Sequence, residues 1–162
     1  MVSTKFKCVS MCVASCLLFA GVAFAALPNT AQCFTEDQLI TLNKENVAGG
    51  TGTLYGQFAF TRTQATADQA IKEIGWMTLK PGASIGLHKH GVNEDTYIIV
   101  SGHGIFTDSK GVQTKVKAGD ITIARPNQAH ALRNDGKEPL KFLDIIAEND
   151  GPNTTAANTV KK

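Results

Sequence analysis

The sequence predicts a single all-β domain, a sandwich or barrel, preceded by one short helix. Three observations carry this. Short apolar or alternating runs recur through the middle of the chain: "TLYGQFAF", "EIGWMTL", "TYIIV", "GIFTD", "VQTKVKA", "ITIA", "HALRN" and "LKFLDIIA". Turn formers separate them at even spacing, among them Lys80-Pro81-Gly82, Ser101-Gly102, Ala118-Gly119-Asp120 and Asn134-Asp135-Gly136. No repeat or linker divides the region, so it reads as one β domain rather than a series of βαβ units.

The elements follow in order. Residues 1–25 begin with Lys5 and Lys7, continue with an uncharged, largely apolar run from Cys8, and end on Ala23-Phe24-Ala25. That is the layout of a cleavable secretory signal with a small-x-small cleavage site, so export to a periplasmic or extracellular location is expected. A spanning anchor is the competing reading, but serines and small residues dilute the run. No membrane association is expected once the signal is removed. Cleavage would take Cys8, Cys12 and Cys16 with it and leave Cys33 alone, which excludes an intramolecular disulfide. It would also remove two of the 16 basic residues, leaving 14 against 14 acidic ones. A chain with that balance lacks the basic face that nucleic-acid binding requires.

Residues 26–50 contain Thr35 followed three positions later by Gln38, a capping-box arrangement, then Leu39, Ile40 and Leu42 before Gly49-Gly50. This predicts the short helix. Residues 51–148 carry the strands of the barrel. Residues 149–162, "NDGPNTTAANTVKK", have no apolar periodicity and read as a disordered tail; Asn153-Thr154-Thr155 fits a glycosylation sequon.

The chemistry concentrates in two segments. In the first, Gly82 is followed after five residues by His88-Lys89-His90, then by Glu94-Asp95, and Gly102 closes the segment. The second runs from Gly119-Asp120 through "ITIA" to "RPNQAHALRN", with His130 and Asn134. His88 and His90 are two apart, so on a strand they project from one face and can reach one ion. On its own such a pair is more often a solvated strand edge. Here three of the four histidines in the chain fall in these two segments.

This pair of segments resembles the two motifs of the cupin family, G-x5-H-x-H-x3–4-E-x6-G and G-x5-P-x-G-x2-H-x3-N. The likeness covers roughly Met77 to Ala147. Two positions depart from the pattern: Arg125 stands where the family has Pro, and Asn127 where it has Gly. Asn tolerates the left-handed backbone conformation, so the turn can survive. The first-motif carboxylate has two candidates. Glu94 has the family's residue type, whereas Asp95 has its six-residue spacing to Gly102. Adjacent strand residues face opposite ways, so only one of them can join the histidines. Register counted from the strand end favours Asp95, with Glu94 the alternative.

The resemblance implies a double-stranded β-helix, jelly-roll-like barrel with a metal in its mouth, held by His88, His90, Asp95 (or Glu94) and His130. Three imidazoles and a carboxylate suit a divalent transition metal such as Fe, Mn, Ni, Co or Zn, while Mg or Ca would prefer an all-oxygen set. Gly82, Gly102, Gly119 and Asn127 are expected at turns, Trp76 and Met77 in the core, and His103 and Arg125 at the surface. Tyr97 either lines the pocket or packs. The favoured functional reading is a small exported metalloenzyme (isomerase, dioxygenase, decarboxylase or lyase) acting on a small organic acid or sugar-like substrate. No general acid or base is identifiable beyond the non-ligating member of Glu94/Asp95 and Tyr97. The alternative is a non-catalytic binder of a small sugar or acid. A homodimer through the barrel's outer sheet is consistent with the resemblance.

Overall fold

A computed structural model describes residue 28 and residues 30–149. The expected signal segment, its three cysteines and the tail beyond Asn149 lie outside the described residues. Cys33 is exposed and unpaired.

Ten strands follow one another: β1 (Ile40–Glu45), β2 (Thr53–Phe60), β3 (Ile71–Leu79), β4 (Ser84–Lys89), β5 (Asn93–Ser101), β6 (His103–Thr107), β7 (Gln113–Lys117), β8 (Ile121–Ala124), β9 (Ala129–Arg133) and β10 (Leu140–Glu148). They form a six-stranded sheet ordered β1-β2-β3-β10-β5-β8 and a four-stranded sheet ordered β4-β9-β6-β7, all pairs antiparallel. Sequential strands pass between the two sheets, as a double-stranded β-helix requires.

Alternation decides which side chains meet between the sheets. From β2, β3, β5 and β10 come Leu54, Phe58, Met77, Leu79, Tyr97, Ile99, Leu140 and Phe142, and from β9 comes Leu132, all buried. Met77 is in this core as expected. Trp76 is not: its neighbours Gly75 and Met77 face inward, so its ring lies on the outer face, 49% exposed. The outer face stays apolar along a cross-strand row, Trp76–Leu143–Ile98–Ile121, that spans β3, β10, β5 and β8.

The expected short helix is reduced to a 3-10 turn at Glu36–Gln38, with a second 3-10 turn at Val47–Gly49 after β1. The capping pair is formed in part: the Thr35 main-chain N–H donates to Gln38 Oε1 at 3.1 Å. Beyond it the chain becomes β1 rather than continuing the helix. The reason is tertiary, since Ile40 to Glu45 pair residue for residue with Phe58 to Thr53 on β2. A full ladder outweighs the modest helical preference of six residues rich in Ile, Thr and Asn.

The turns behave as the spacing implies. Gly102 has φ 78°, and a Cβ there would come within 2.6 Å of the Pro139 carbonyl oxygen. Asn127 takes φ 68°, the left-handed conformation the family's glycine would supply. Asn134 is a structural hub. Its Nδ2 donates to the carbonyls of Leu79 and Glu138 at 2.8 and 2.9 Å, and its Oδ1 accepts from the Gly136 N–H at 2.9 Å. Its main-chain N–H bonds the Ala83 carbonyl at 3.0 Å. It thus ties the end of β9 to the β3–β4 turn and sets the height at which β4 and β9 run side by side.

Asn134→Ala should therefore cost about 2–4 kcal/mol, because buried carbonyls lose their donors. Urea unfolding would show a lower midpoint with an unchanged slope; a midpoint within experimental error of wild type would refute the hub role.

Candidate metal centre

β4 and β9 are adjacent, and their register sets His88 directly against His130 and Lys89 against Ala129. The pairing shifts between Ile85 and His88, where β4 advances three residues while β9 advances two. The extra residue reverses the parity of β4, so Ile85 and His88 both face inward and Leu87 is left exposed. His90 lies just past the end of β4 and is held by the second motif's turn. Its N–H donates to the Gln128 carbonyl at 2.9 Å, and its carbonyl accepts from the Asn127 N–H at 2.7 Å. The Asn127 conformation thus directly supports the placement of His90.

Asp95 comes from the opposite sheet. On β5 it pairs with Ile146 of β10 and Ala124 of β8, and it points between the sheets at 2% exposure. Glu94 faces the other way and forms an ion pair with Arg125 at 3.0 Å. Of the acidic pair, then, the structure brings Asp95 to the histidines and sends Glu94 to the rim.

The four side chains converge on one point. His90 Nε2 and His130 Nε2 are 3.0 Å apart, and His130 Nε2 and His88 Nε2 are 3.2 Å apart. Asp95 Oδ2 lies 3.2 Å from His130 Nε2, 3.3 Å from His90 Nε2 and 3.9 Å from His88 Nε2. Metal–ligand bonds of about 2.1 Å put neighbouring ligand atoms about 3.0 Å apart at right angles and about 3.4 Å apart at tetrahedral angles. Four of the five observed spacings fall in that range, and the fifth, His88 Nε2 to Asp95 Oδ2, is longer at 3.9 Å. Among the described residues this is the one His/Asp group compact enough to share an ion.

The outer ring nitrogens support the same reading. His88 Nδ1 is 3.0 Å from the Gly86 carbonyl, which can only accept, so Nδ1 carries the hydrogen. His90 Nδ1 is 3.1 Å from Asn93 Oδ1 and donates likewise. In the neutral rings, both Nε2 lone pairs are then turned toward the shared point, the tautomer of a metal-ligating histidine. His130 is fully buried. It stacks on the Tyr97 ring at 4.8 Å and 22°, with the Phe106 ring edge-on at 5.8 Å. Tyr97 thus packs, and in packing it fixes the His130 ring.

Electrostatics follow from burial and proximity. Burial pushes the Asp95 carboxyl up, but His130, His88 and His90, which donate to it from Nε2 when the rings are protonated, outweigh it and hold the group well below the usual carboxylate range. Burial pushes the His88 imidazole down, yet the Asp95 and Gly86 contacts raise it above its ordinary value. At the more enclosed His130 burial prevails and the pKa is lowered.

Sequence reasoning missed Asp144. It lies on β10 opposite Tyr97, at 1% exposure, on the same inner face as Asp95 and one cross-strand row away. Burial first, and then the Asp95 charge, raise its pKa well above the usual range. Asp95 Oδ1 and Asp144 Oδ2 are both buried without a hydrogen-bond partner. The signal was present: in "LKFLDIIA", Asp144 shares parity with Phe142 and Ile146. Glu73 on β3 is a second buried acid, opposite Ile146. His103, expected at the surface, is exposed and pairs with Asp135 at 3.2 Å.

The cupin domain family model matches residues 75–146. An oxalate-binding protein of Thermotoga maritima is 33% identical over 101 residues, covering 62% of this chain and 81% of the relative. A crystal structure described as a predicted oxalate decarboxylase, also from Thermotoga maritima, superposes with a TM-score of 0.65 at 27% identity, over 72% of this chain and 99% of the other. A Klebsiella pneumoniae protein with a double-stranded β-helix domain gives a TM-score of 0.55 at 27% identity, over 75% and 94%.

Asp95→Ala should weaken binding of Mn2+ or Zn2+ by more than about 100-fold, beyond the range seen when only a supporting residue is lost. Glu94→Ala should change it by no more than a few-fold, and both variants should keep the far-ultraviolet dichroism of a β barrel. The reverse order in a metal titration would show that the carboxylate was misassigned.

Proposed function

The chain belongs to the cupin superfamily, and on that premise we propose that it holds a divalent transition metal through His88, His90, Asp95 and His130 and binds a small carboxylate ligand, of the oxalate type, at the ion's remaining positions. The observation that carries this is the convergence of three imidazoles and Asp95, whose ligand atoms all lie within 4.8 Å of one another. The centre fits Fe, Mn, Ni, Co or Zn. Four protein ligands leave one or two positions open, and a bound ion would supply Lewis acidity there. The oxalate-type assignment is supported by the similarity to the oxalate-binding protein of Thermotoga maritima and to the structure described as a predicted oxalate decarboxylase from the same organism.

Capture without turnover fits the site best. The β6–β7 connection is a tight hairpin turn closed by Asp108 N–H to the Val112 carbonyl at 3.0 Å, and it offers no cover for a reaction intermediate. Glu94 is occupied with Arg125 at the rim, so it supplies no acid or base to the open side. Turnover is the second reading, favoured by Asp144 beside Asp95, whose carboxyl burial pushes well above its ordinary range. Formate appearing from oxalate would establish it.

Two further expectations belong to this reading. The basic start, apolar run and Ala23-Phe24-Ala25 support action outside the cytoplasm. The outer row Trp76–Leu143–Ile98–Ile121 supports a homodimer, since an apolar face four strands wide is unusual on a solvated monomer.

Oxalate should raise the melting temperature of the metal-loaded protein and leave the metal-free protein unchanged. At 100 times its dissociation constant it should add about 2.7 kcal/mol. An equal rise without metal would overturn the metal-dependent reading. Separately, Trp76→Lys should halve the mass seen in sedimentation equilibrium; an unchanged mass would remove the outer face from the dimer model.

A further inference from the structure

The three imidazoles of the metal centre are not held alike. The His90 side chain is 3% exposed and that of His130 0%, whereas that of His88 is 26% exposed. His130 is backed by the Tyr97 ring. His88 has no such platform among the described residues: its ring contacts are the other two imidazoles, at 4.9 and 4.6 Å. What orients it is a hydrogen bond from Nδ1 to the Gly86 carbonyl at 3.0 Å. The direction of His88 therefore depends on where the Gly86 peptide sits.

Gly86 lies in the bulge of β4, between Ile85 and His88, where the pairing with β9 shifts. A bulge leaves part of the ladder unmade, so the strand there needs support from elsewhere. β4 is also an edge strand, paired with β9 alone. Along its open side runs the turn over residues 46–50 and the segment that follows it. The Ser84 N–H donates to the Thr51 carbonyl at 2.8 Å, and the Thr51 N–H donates to Ser84 Oγ at 2.9 Å. Two glycines then meet backbone to backbone. A Cβ on Gly86 would collide with the Ala48 carbonyl and lie 2.8 Å from the Gly50 nitrogen, and a Cβ on Gly50 would collide with the Ser84 carbonyl.

The turn itself is stiff. Asn46 and Ala48 take φ of 49° and 53°. Asparagine tolerates this left-handed conformation, but alanine holds it only where its surroundings impose it. The Gly49 N–H bonds the Asn46 carbonyl at 3.1 Å, and the Gly50 N–H bonds the Val47 carbonyl at 2.9 Å. Val47 packs against the core. One side of the turn is thus fixed to the barrel interior, while the other bears on the bulge.

We propose that this turn is a buttress of the metal centre, and that Gly86 is the positioning residue through which it aims His88. Gly86 ligates nothing; it keeps its carbonyl under His88 Nδ1, so that Nε2 faces the shared point. The assignment rests on the metal reading above and adds to it an element, the 46–50 turn, that lies outside both histidine segments.

Calorimetric titration of Mn2+ into the metal-free full chain tests it. Gly86→Ala should weaken Mn2+ binding by about 10–100-fold, the range for losing a partner that orients a ligand. In a His88→Ala background the same change should cost less than about three-fold, because a residue that acts through His88 has nothing left to act on. Similar losses in both backgrounds, or none in either, would overturn the proposal. Should Gly86→Ala not fold, Ser84→Ala loosens the turn from β4 without adding volume. It should weaken Mn2+ a few-fold, and a loss that persists without His88 would count against the buttress. A second readout needs no metal. In nitrogen NMR of the metal-free protein, at a pH where the rings are neutral, His88 should carry its proton on Nδ1. Gly86→Ala should move it toward a mixture of tautomers and leave His90 and His130 unchanged. If wild type takes up no Mn2+, the metal reading falls and this spectrum decides alone: a His88 signal unmoved by Gly86→Ala would overturn the positioning role.

Discussion

A carboxylate taken almost wholly out of water must be matched by protons or positive charge. In this barrel Asp95, at 2% exposure, sets that demand, and the rest of the site is arranged to meet it. It projects from the six-stranded sheet, while the three imidazoles that answer it come from the four-stranded one. The match therefore holds only when the two sheets face each other at a fixed height. Asn134 fixes that height through bonds from β9 to the β3–β4 turn, and the extra residue in β4 turns His88 inward. Stability and function share these contacts: a barrel that shifted by one residue would turn every inner side chain outward and leave Asp95 without partners.

Around this pair of faces lies a second layer that restrains without ligating. Tyr97 stacks on His130 and is itself packed by Phe142 at 4.8 Å, so the least exposed imidazole is clamped on an aromatic platform. Gly86 and Asn93 accept from the outer nitrogens of His88 and His90 and fix their tautomers. Asp144 adds an acid beneath Asp95 whose carboxyl is pushed well above its ordinary range by burial. Each restraint is local, yet together they leave the imidazoles little freedom to rotate away. A preorganised set of this kind gives up little entropy on binding an ion.

Much of this was legible in the sequence, and the reasons are specific. The H-x-H spacing placed His88 and His90 on one face, and the second segment supplied His130 at a distance that only a folded barrel can close. Counting back from Gly102 selected Asp95 over Glu94, and the structure puts Asp95 among the histidines because register is measured from the strand end. The helix over 35–50 did not form beyond two separate 3-10 turns, since the pairing of Ile40–Glu45 with β2 is a long-range term that local propensity does not contain. Trp76 is expected in the core but is flanked by the inward-facing Gly75 and Met77, and that parity assigns it to the outer face. Asp144 and Glu73 were passed over because an acid inside an apolar strand reads as solvent-facing until the partner strand is known.

The charges in the mouth also set an order of events. Before an ion is bound, a dicarboxylate entering beside Asp95 meets another anion at short range in a poorly solvated space. Two like charges 4 Å apart at an effective dielectric of about 20 repel by about 4 kcal/mol. A divalent ion reverses the sign of the interaction at the very position where the first carboxylate would sit. Ion and anion must then bind with positive coupling, and by linkage the anion must raise the affinity for the ion as much as the ion raises that for the anion. On the proposed reading, a protein with this arrangement would discriminate against free dicarboxylate when it lacks metal and against loss of metal when the dicarboxylate is bound. The buried acids, costly to the fold, would then make the two ligands depend on each other.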